Sequence, residues 1–391
     1  MTTDKYVLSP ETILNNKYHI LMQIGKGGFS YIYLAECLSD GKLFAIKELF
    51  VEEYMERRIP ETTVYLYKDS FKKRFETDLH HFQKEWIVMN EFKYHPGTVQ
   101  PVDFFEENNT LYIVMEFLSG GSLKDHVRKN GKIKVDMLCK SLRNVFQLLS
   151  EMHAKGYVHG DISPDNLIMD GDNYKLIDFG AVRRTGEATS IEGQIRKEGY
   201  TPAEVFNRNN LTNQRSDIYS ICATCYYAIT GIEPEDALER GIIDELKPPS
   251  ELYAEVHPLI EKTVMKGLSM IPDERWESIQ KIQEQIDSYN KTEEQRKSEE
   301  ESIKKKRRIR QLIAGAAIAL TVLVGCRIFY FTHRELIKFK GQEIQKIVFF
   351  YKEETTHEES ERVDNYIKEK IIESKTQNLI QINDCPLRGV A

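Results

Sequence analysis

Short alternations of apolar and polar residues fill the first part of the chain, and longer stripes at helical period follow. Tyr18 to Ile24, Tyr31 to Ala35 and Leu43 to Glu48 each mix the two classes in the manner of a strand. The stretch Gly25-Lys-Gly-Gly-Phe-Ser30 separates the first two, so strand, glycine-rich turn and strand are predicted in that order. His95 to Phe105 and Thr110 to Met115 predict two further strands around an Asn108-Asn109 turn. Between these sets, Phe71, Phe75, Leu79, Phe82, Trp86 and Met89 recur every ~3.6 residues over roughly five turns, with Glu85 beside the apolar stripe. Farther on, Ser122 caps a helix after Gly120-Gly121. Val135 to about His153 carries Leu138, Leu142, Val145, Phe146, Leu149 and Met152 on one helical face and stops before Gly156. Tyr174 to Ile177 is a short strand-like run, and Ile218 to Ile229 is apolar enough for a buried helix.

One apolar stretch is longer than a globular core requires. Leu312 to Val324 is unbroken, and with the residues to Phe331 it makes about 20 residues or ~30 Å of helix, the depth of a bilayer core. Arg327 then sits near one end and reaches toward the headgroups. Six of the seven residues from Lys304 to Arg310 are basic, whereas the far side has only Arg327, Arg334 and Lys338 close by. The positive-inside rule therefore places residues 1–310 in the cytoplasm and 332–391 outside. A buried core helix is the competing reading, and a basic cluster against its first apolar turn argues against it. The basic run also suits anionic membrane lipid. Residues 1–17 are polar and mixed in charge, without the pattern of a signal peptide. The tail beyond Phe331 has an apolar cluster, Ile344 and Ile347 to Tyr351, and is small for an independent ligand sensor.

Composition narrows the classes. The 391 residues suffice for a domain of about 250 to 300 residues with something smaller beside it. Charged residues at 29% and apolar ones at 41% are ordinary for a globular protein, and a net charge of -7 lowers the case for nucleic-acid binding. The six cysteines lack metal-site spacing apart from Cys222-Ala-Thr-Cys225, which lies in the apolar run and reads as two buried core side chains. In the outer tail Cys385 leaves two alternatives open, a free thiol or an intermolecular disulfide that would make a homodimer.

The chemistry gathers in His159-Gly-Asp-Ile-Ser-Pro-Asp-Asn166 and Lys175-Leu-Ile-Asp-Phe-Gly180. Asp161 and Asn166 lie five residues apart on a Pro-containing loop, and Asp178 ends a short strand. That supplies one carboxylate for a hydroxyl being phosphorylated, and an amide with a second carboxylate for magnesium on nucleotide phosphates. The two segments resemble the catalytic loop and Asp-Phe-Gly motif of the eukaryotic-type protein kinases, most like the bacterial transmembrane serine/threonine kinases. The resemblance implies an α+β, bilobal protein-kinase fold with a β-rich N-lobe over 15–118 and a helical C-lobe over 119–285. A charged linker (286–311), a single transmembrane helix (312–331) and a small extracytoplasmic tail (332–391) follow.

The same resemblance assigns roles. Gly25 and Gly27 match the first and third glycines of a phosphate-covering loop, Ser30 stands at the sixth position and Gly28 is extra. Lys26, Phe29, Ile32 and Ala45 extend the nucleotide site. Lys47 would hold the alpha and beta phosphates and Glu85 would orient it, with Glu76 as the weaker choice; their separation is longer than the family's pattern, which implies an insertion or a helical extension within the charged stretch Val51 to Lys73. Met115 would guard the back of the pocket, and the backbone of Glu116 and Leu118 would meet the adenine edge. Asp161 would be the base, Asn166 and Asp178 the Mg2+ ligands, and His159 a structural support. Glu204 would pair with Arg275 in a buried salt bridge, and Asp217 would cap the catalytic-loop backbone. Thr185, Thr189 and Ser190 are the candidate phosphoacceptors of the activation segment between Ala181 and Lys197. The implied cofactors are ATP and Mg2+, with protein substrates.

Two departures bear on activity. Gly160 replaces the usual Arg, and Ser163 replaces the usual lysine two residues past the catalytic Asp. Lys197, seven residues before Glu204, stands where the resemblance faces the catalytic Asp, and is expected to supply the missing cation. A surface lysine is the competing reading. Serine/threonine kinase activity is thus weighed against a membrane-anchored pseudokinase acting as a scaffold. Small-molecule phosphorylation fits less well with Pro202-Ala-Glu204 and Arg275.

Overall fold

The computed structural model describes residues 5–58, 60–187, 196–206, 213–252, 255–352 and 365, with side chains as far as 334. Thr189, Ser190, Cys385 and most of the tail beyond 352 lie outside the described residues. The chain divides into two units, Met1–Arg296 and Lys297–Ala391.

In the first unit, β1 (Ile13–Leu14), β2 (Tyr18–Lys26), β3 (Ser30–Cys37) and β4 (Leu43–Leu49) form consecutive antiparallel pairs. A small separate hairpin, β5 (Met55–Arg57) with β6 (Val64–Leu66), comes next. The stretch with open alternatives is therefore an inserted hairpin, and the helix starts only after it, as α1 (Lys72–Glu91). Strands β7 (Pro101–Glu107) and β8 (Thr110–Glu116) complete a six-stranded sheet in the order β1-β2-β3-β4-β8-β7. Asn108 and Asn109 join them with φ of 54° and 58°, left-handed values that asparagine tolerates better than most residues. Phe82, Glu85, Val88 and Met89 are the buried residues of α1, and Trp86 stacks on Phe104 of β7 at 5.5 Å.

The remainder of this unit is mainly helical. α2 (Leu123–Asn130) begins with a capping box between Ser122 and Asp125. The long tract expected from Val135 is two helices, α3 (Val135–Ser141) and α4 (Arg143–Ala154), joined at Leu142. Leu142 keeps right-handed helical dihedrals, and its N–H and C=O still bond to Leu138 and Phe146, so the apolar face continues across the joint. Short strands β9 (Tyr157–Val158), β10 (Leu167–Asp170), β11 (Asn173–Leu176) and β12 (Arg183–Arg184) frame the motif-bearing loops as pairs β10–β11 and β9–β12.

α5 (Gln214–Thr230) is buried along nearly its whole length, including Cys222 and Cys225, which are free thiols as expected of core residues. α6 (Ala237–Arg240) and α7 (Pro258–Gly267) pack around it. Gly267 permits the approach of α7, because an added Cβ there would lie 2.2 Å from Cys222 Sγ. α8 (Ile279–Lys352) begins on this unit, burying Ile279, Ile282 and Tyr289, with the Tyr289 hydroxyl donating to Asp136. Packing of the first unit thus extends past residue 285. In the second unit the helix exposes its apolar residues from Leu312 to Phe331, and it is long and apolar enough to cross a membrane.

Candidate active site

Strand alternation sends Ala45 and Lys47 of β4 to one face, and Ile46 and Glu48 to the other. Lys47 Nζ donates to Glu85 Oε1 of α1 at 2.6 Å and to Asp178 Oδ1 at 3.1 Å. Gly180 lies against the trio, and its N–H donates to Asp178 Oδ1 at 3.1 Å. Desolvation opposes the charge on Lys47, but Asp178 and Glu85 outweigh it and hold the ammonium above its ordinary range. Desolvation likewise would raise Asp178. Lys47, the Gly180 N–H and Lys197 overcome it and keep that carboxylate well below the usual range, hence ionised. Glu76 is exposed and takes no part.

The loop from His159 to Asn166 is clamped from the start of α5. Asp217 Oδ2 accepts the His159 N–H at 2.8 Å and Oδ1 accepts the Gly160 N–H at 2.9 Å. Asp217 also lies 2.8 Å from His153 Nε2, a partner that its position at the end of a sequence stripe gave no reason to expect. His159 meets the edge of Phe179 at 5.2 Å, and burial pushes its imidazole down to about 4, so it is a neutral packing group. Asn166 Nδ2 donates to Asp161 O and Oδ2, both at 2.8 Å, which leaves the amide oxygen of Asn166 for another partner. Burial pushes Asp161 up to about 6; Lys197 works against this and Asp178 adds to it.

Lys197 Nζ stands 2.9 Å from Asp161 Oδ2 and 3.0 Å from Ser163 Oγ. Glu204 takes two hydrogen bonds from Arg275, at 2.6 and 3.0 Å, in a buried pair. Arg275 also donates to the Ser269 and Arg215 carbonyls, so its guanidinium is well supplied with acceptors.

Above this floor, Gly27 to Phe29 turn between β2 and β3, with the Gly27 N–H donating to Ser30 O at 2.8 Å. Gly25 pairs with Ile32, and Ala45 pairs with Met115 across β4 and β8. The Lys26 side chain is tied to Glu52, 2.7 Å away, and Phe29 is exposed. Glu116 Oε1 accepts from Gln100 N and Lys175 Nζ, both at 2.8 Å. Among the described residues, the Leu118 backbone has no hydrogen-bond partner.

Sequence reasoning missed a buried network on the other face of β4. Glu48 is fully buried and accepts from Tyr33 at 2.8 Å, from Tyr112 at 2.6 Å and from Arg57 of the inserted hairpin. The available signal was a glutamate at an inward strand position, which demands a cation from elsewhere.

The donor set fits Mg-ATP. Asp178 and Asn166 are hard oxygen donors of the kind magnesium takes, and among the described residues no group of three or more His, Cys, Asp or Glu lies together as a metal cage. An added Cβ at Gly28 would meet nothing within 4 Å, so the loop leaves space beside its backbone.

This fold and this arrangement define a protein kinase domain. The family model described as Protein kinase domain matches residues 18–287, and the chain belongs to that family. It is similar to a probable serine/threonine-protein kinase, CPE1738, of Clostridium perfringens, 24% identical over 282 residues, covering 69% of this chain and 38% of the relative. The serine/threonine-protein kinase cds1 of Schizosaccharomyces pombe is 29% identical over 265 residues, covering 66% and 54%. PrkC, a serine/threonine-protein kinase of Bacillus subtilis, is 26% identical over 286 residues, covering 70% and 40%. The solved structure of PpkA-294 in its apo form superposes with a TM-score of 0.63 at 27% identity, covering 72% of this chain and 99% of that one. The chain spans about half or less of the length of the curated relatives described.

Proposed function

We propose that this protein is a membrane-anchored kinase that transfers the gamma-phosphoryl group of Mg-ATP to serine or threonine hydroxyls of proteins. The observation that carries the reading is the Lys47 ammonium held between Glu85 and Asp178, beside a loop that presents Asp161 and Asn166. Bound Mg-ATP supplies the phosphoryl group. Lys47 holds the alpha and beta phosphates, and Glu85 fixes the ammonium for that task. Asp178 and Asn166 provide the protein oxygens for magnesium. Backbone amides from Gly25 to Ser30 close over the phosphates, Ile32, Ala45 and Met115 line the adenine pocket, and the backbone of Glu116 and Leu118 reads the adenine edge. Asp161, ionised at neutral pH, orients the incoming hydroxyl and accepts its proton. His159, Asp217, Glu204 and Arg275 hold the loop and the C-lobe in register.

The kinase domain occupies about residues 15–285 and faces the cytoplasm, 312–331 crosses the membrane, and the basic run before it lies against anionic lipid. The pseudokinase reading draws on Ser163, which leaves the catalytic loop without its usual cation.

The deciding measurement is magnesium-dependent transfer of radiolabelled gamma-phosphate by the full chain in nanodiscs to a peptide library containing Ser, Thr and Tyr. Label is expected on Ser and Thr, abolished by a magnesium chelator and lowered ~10² to 10⁴-fold by Asp161→Asn or Asp178→Ala. Nucleotide binding without transfer above the Asp161→Asn level would establish the pseudokinase instead.

A further inference from the structure

The catalytic loop has no cation of its own at the position nearest Asp161, yet a cation stands there. Ser163 is fully buried, and the space that a longer side chain would fill holds the Lys197 ammonium. Lys197 is fixed through both its N–H and its carbonyl by the residues that follow it. Its N–H donates to Thr201 Oγ1 at 3.0 Å, and its carbonyl accepts from the Tyr200 and Thr201 N–H groups at 3.0 and 2.9 Å.

The resulting turn is fastened to the body of the C-lobe. Gly199, at φ +77°, presses so closely on the Pro234 carbonyl that an added Cβ would sit 2.4 Å from its oxygen. Ser220 Oγ of α5 donates to Tyr200 O at 2.8 Å. On the other side, Arg196 reaches Asp236 at the N-terminus of α6, with Nη2 2.9 Å from Oδ1 and Nε 3.3 Å from Oδ2. A solvated surface lysine requires none of this bracing.

We propose that Lys197 is a catalytic residue: its ammonium, carried by the turn after the activation segment instead of by the catalytic loop, holds the transferring phosphoryl group beside Asp161, and the Arg196–Asp236 clasp positions it. The inference rests on the kinase reading above. In the step, the substrate hydroxyl oxygen forms a bond to the gamma phosphorus as the bond from phosphorus to the bridging oxygen of ATP breaks. The electron pair leaves with ADP, the hydroxyl proton passes to Asp161, and the Lys197 ammonium counters charge on the equatorial oxygens. Placing the cation on this turn makes docking of residues 196–201 a condition for catalysis. The departure at Ser163 then has an explanation: the cation that the loop lacks comes from Lys197.

The test uses the full chain in nanodiscs and reads transfer kinetics together with affinity for Mg-ATP and for Mg-ADP with aluminium fluoride, an analogue of the phosphoryl group in flight. Lys197→Met is expected to lower kcat ~10² to 10³-fold with ATP affinity unchanged, and to lose affinity for the fluoride complex by a comparable factor. Arg196→Gln is expected to lower kcat less, again at unchanged ATP affinity. The exchange Ser163→Lys with Lys197→Thr should recover at least about tenfold over Lys197→Met, since the cation returns to the same space from the loop side. If Lys197→Met keeps both kcat and fluoride affinity while Asp161→Asn loses activity, the protein is a kinase and the proposal is wrong. If Asp161→Asn is also without effect, the kinase reading itself fails. Should Lys197→Met not fold, the exchange variant and Lys197→Arg decide, and inactivity of both in folded protein overturns the proposal.

Discussion

Gly160 shows how a departure from a family pattern acquires a physical reason only in its setting. Its φ is +78°, and an added Cβ would stand 3.0 Å from the Ala181 carbonyl oxygen. A side chain there would carry both left-handed backbone strain and a tight contact, while the Gly160 N–H must stay on Asp217. Gly160→Ala is accordingly expected to destabilise the first unit by ~1 to 2 kcal/mol, read as a lower denaturant midpoint at unchanged slope. A midpoint equal to that of the parent would show that the loop relaxes freely. The charges nearby follow the same logic of neighbours. Asp178 is held ionised by Lys47, the Gly180 N–H and Lys197, whereas burial, with the charge of Asp178 adding to it, pushes Asp161 up to about 6. Under the proposed function, two carboxylates of the same kind would thereby serve different tasks, metal binding and proton acceptance.

The inserted hairpin, β5 with β6, belongs to the N-lobe by chemistry as well as by position. Arg57 donates to buried Glu48, and its Nε donates to Thr62 O at 2.8 Å, so the insert and the central strand β4 share one buried ion pair. The residues just before it reach two other parts of the N-lobe. Glu52 pairs with Lys26 of the glycine-rich loop, and Glu53 takes two hydrogen bonds from Arg74 of α1, at 2.9 and 2.8 Å. Arg57→Met is expected to cost ~3 to 5 kcal/mol, because Glu48 would remain buried without its cation. The paired change Glu48→Leu with Arg57→Met should recover most of that loss, in thermal or denaturant unfolding, if charge burial is the cause. Equal instability of the single and paired variants would point to packing of the hairpin instead. Arg74→Ala, which removes an exposed pair, is expected to shift stability by less than about 1 kcal/mol.

For the molecule as a whole, the apolar helix predicts behaviour that the kinase fold does not. The full chain is expected to resist carbonate extraction from membranes, and deletion of residues 312–331 to release it. Protease added outside sealed cells should remove only the tail, and cleavage of residues 1–310 from that side would reverse the proposed orientation. Much of this architecture is legible in the order of residues. Period-two runs, a helical stripe, the Ser122 cap and an unbroken apolar stretch are local properties, and hydrophobic burial enforces them wherever the chain goes. The chemical inventory, Asp161, Asn166, Asp178 and Lys47, is local in the same sense, and the resemblance supplied its roles. What needed the folded chain was which groups meet across long separations. The hairpin in 51–73, its Arg57 beneath Glu48, His153 on Asp217 and the Lys197 ammonium against Ser163 all depend on partners that no period or spacing links. Burial makes an ion or a hydrogen-bonding group choose its partner, and burial exists only once distant segments have packed.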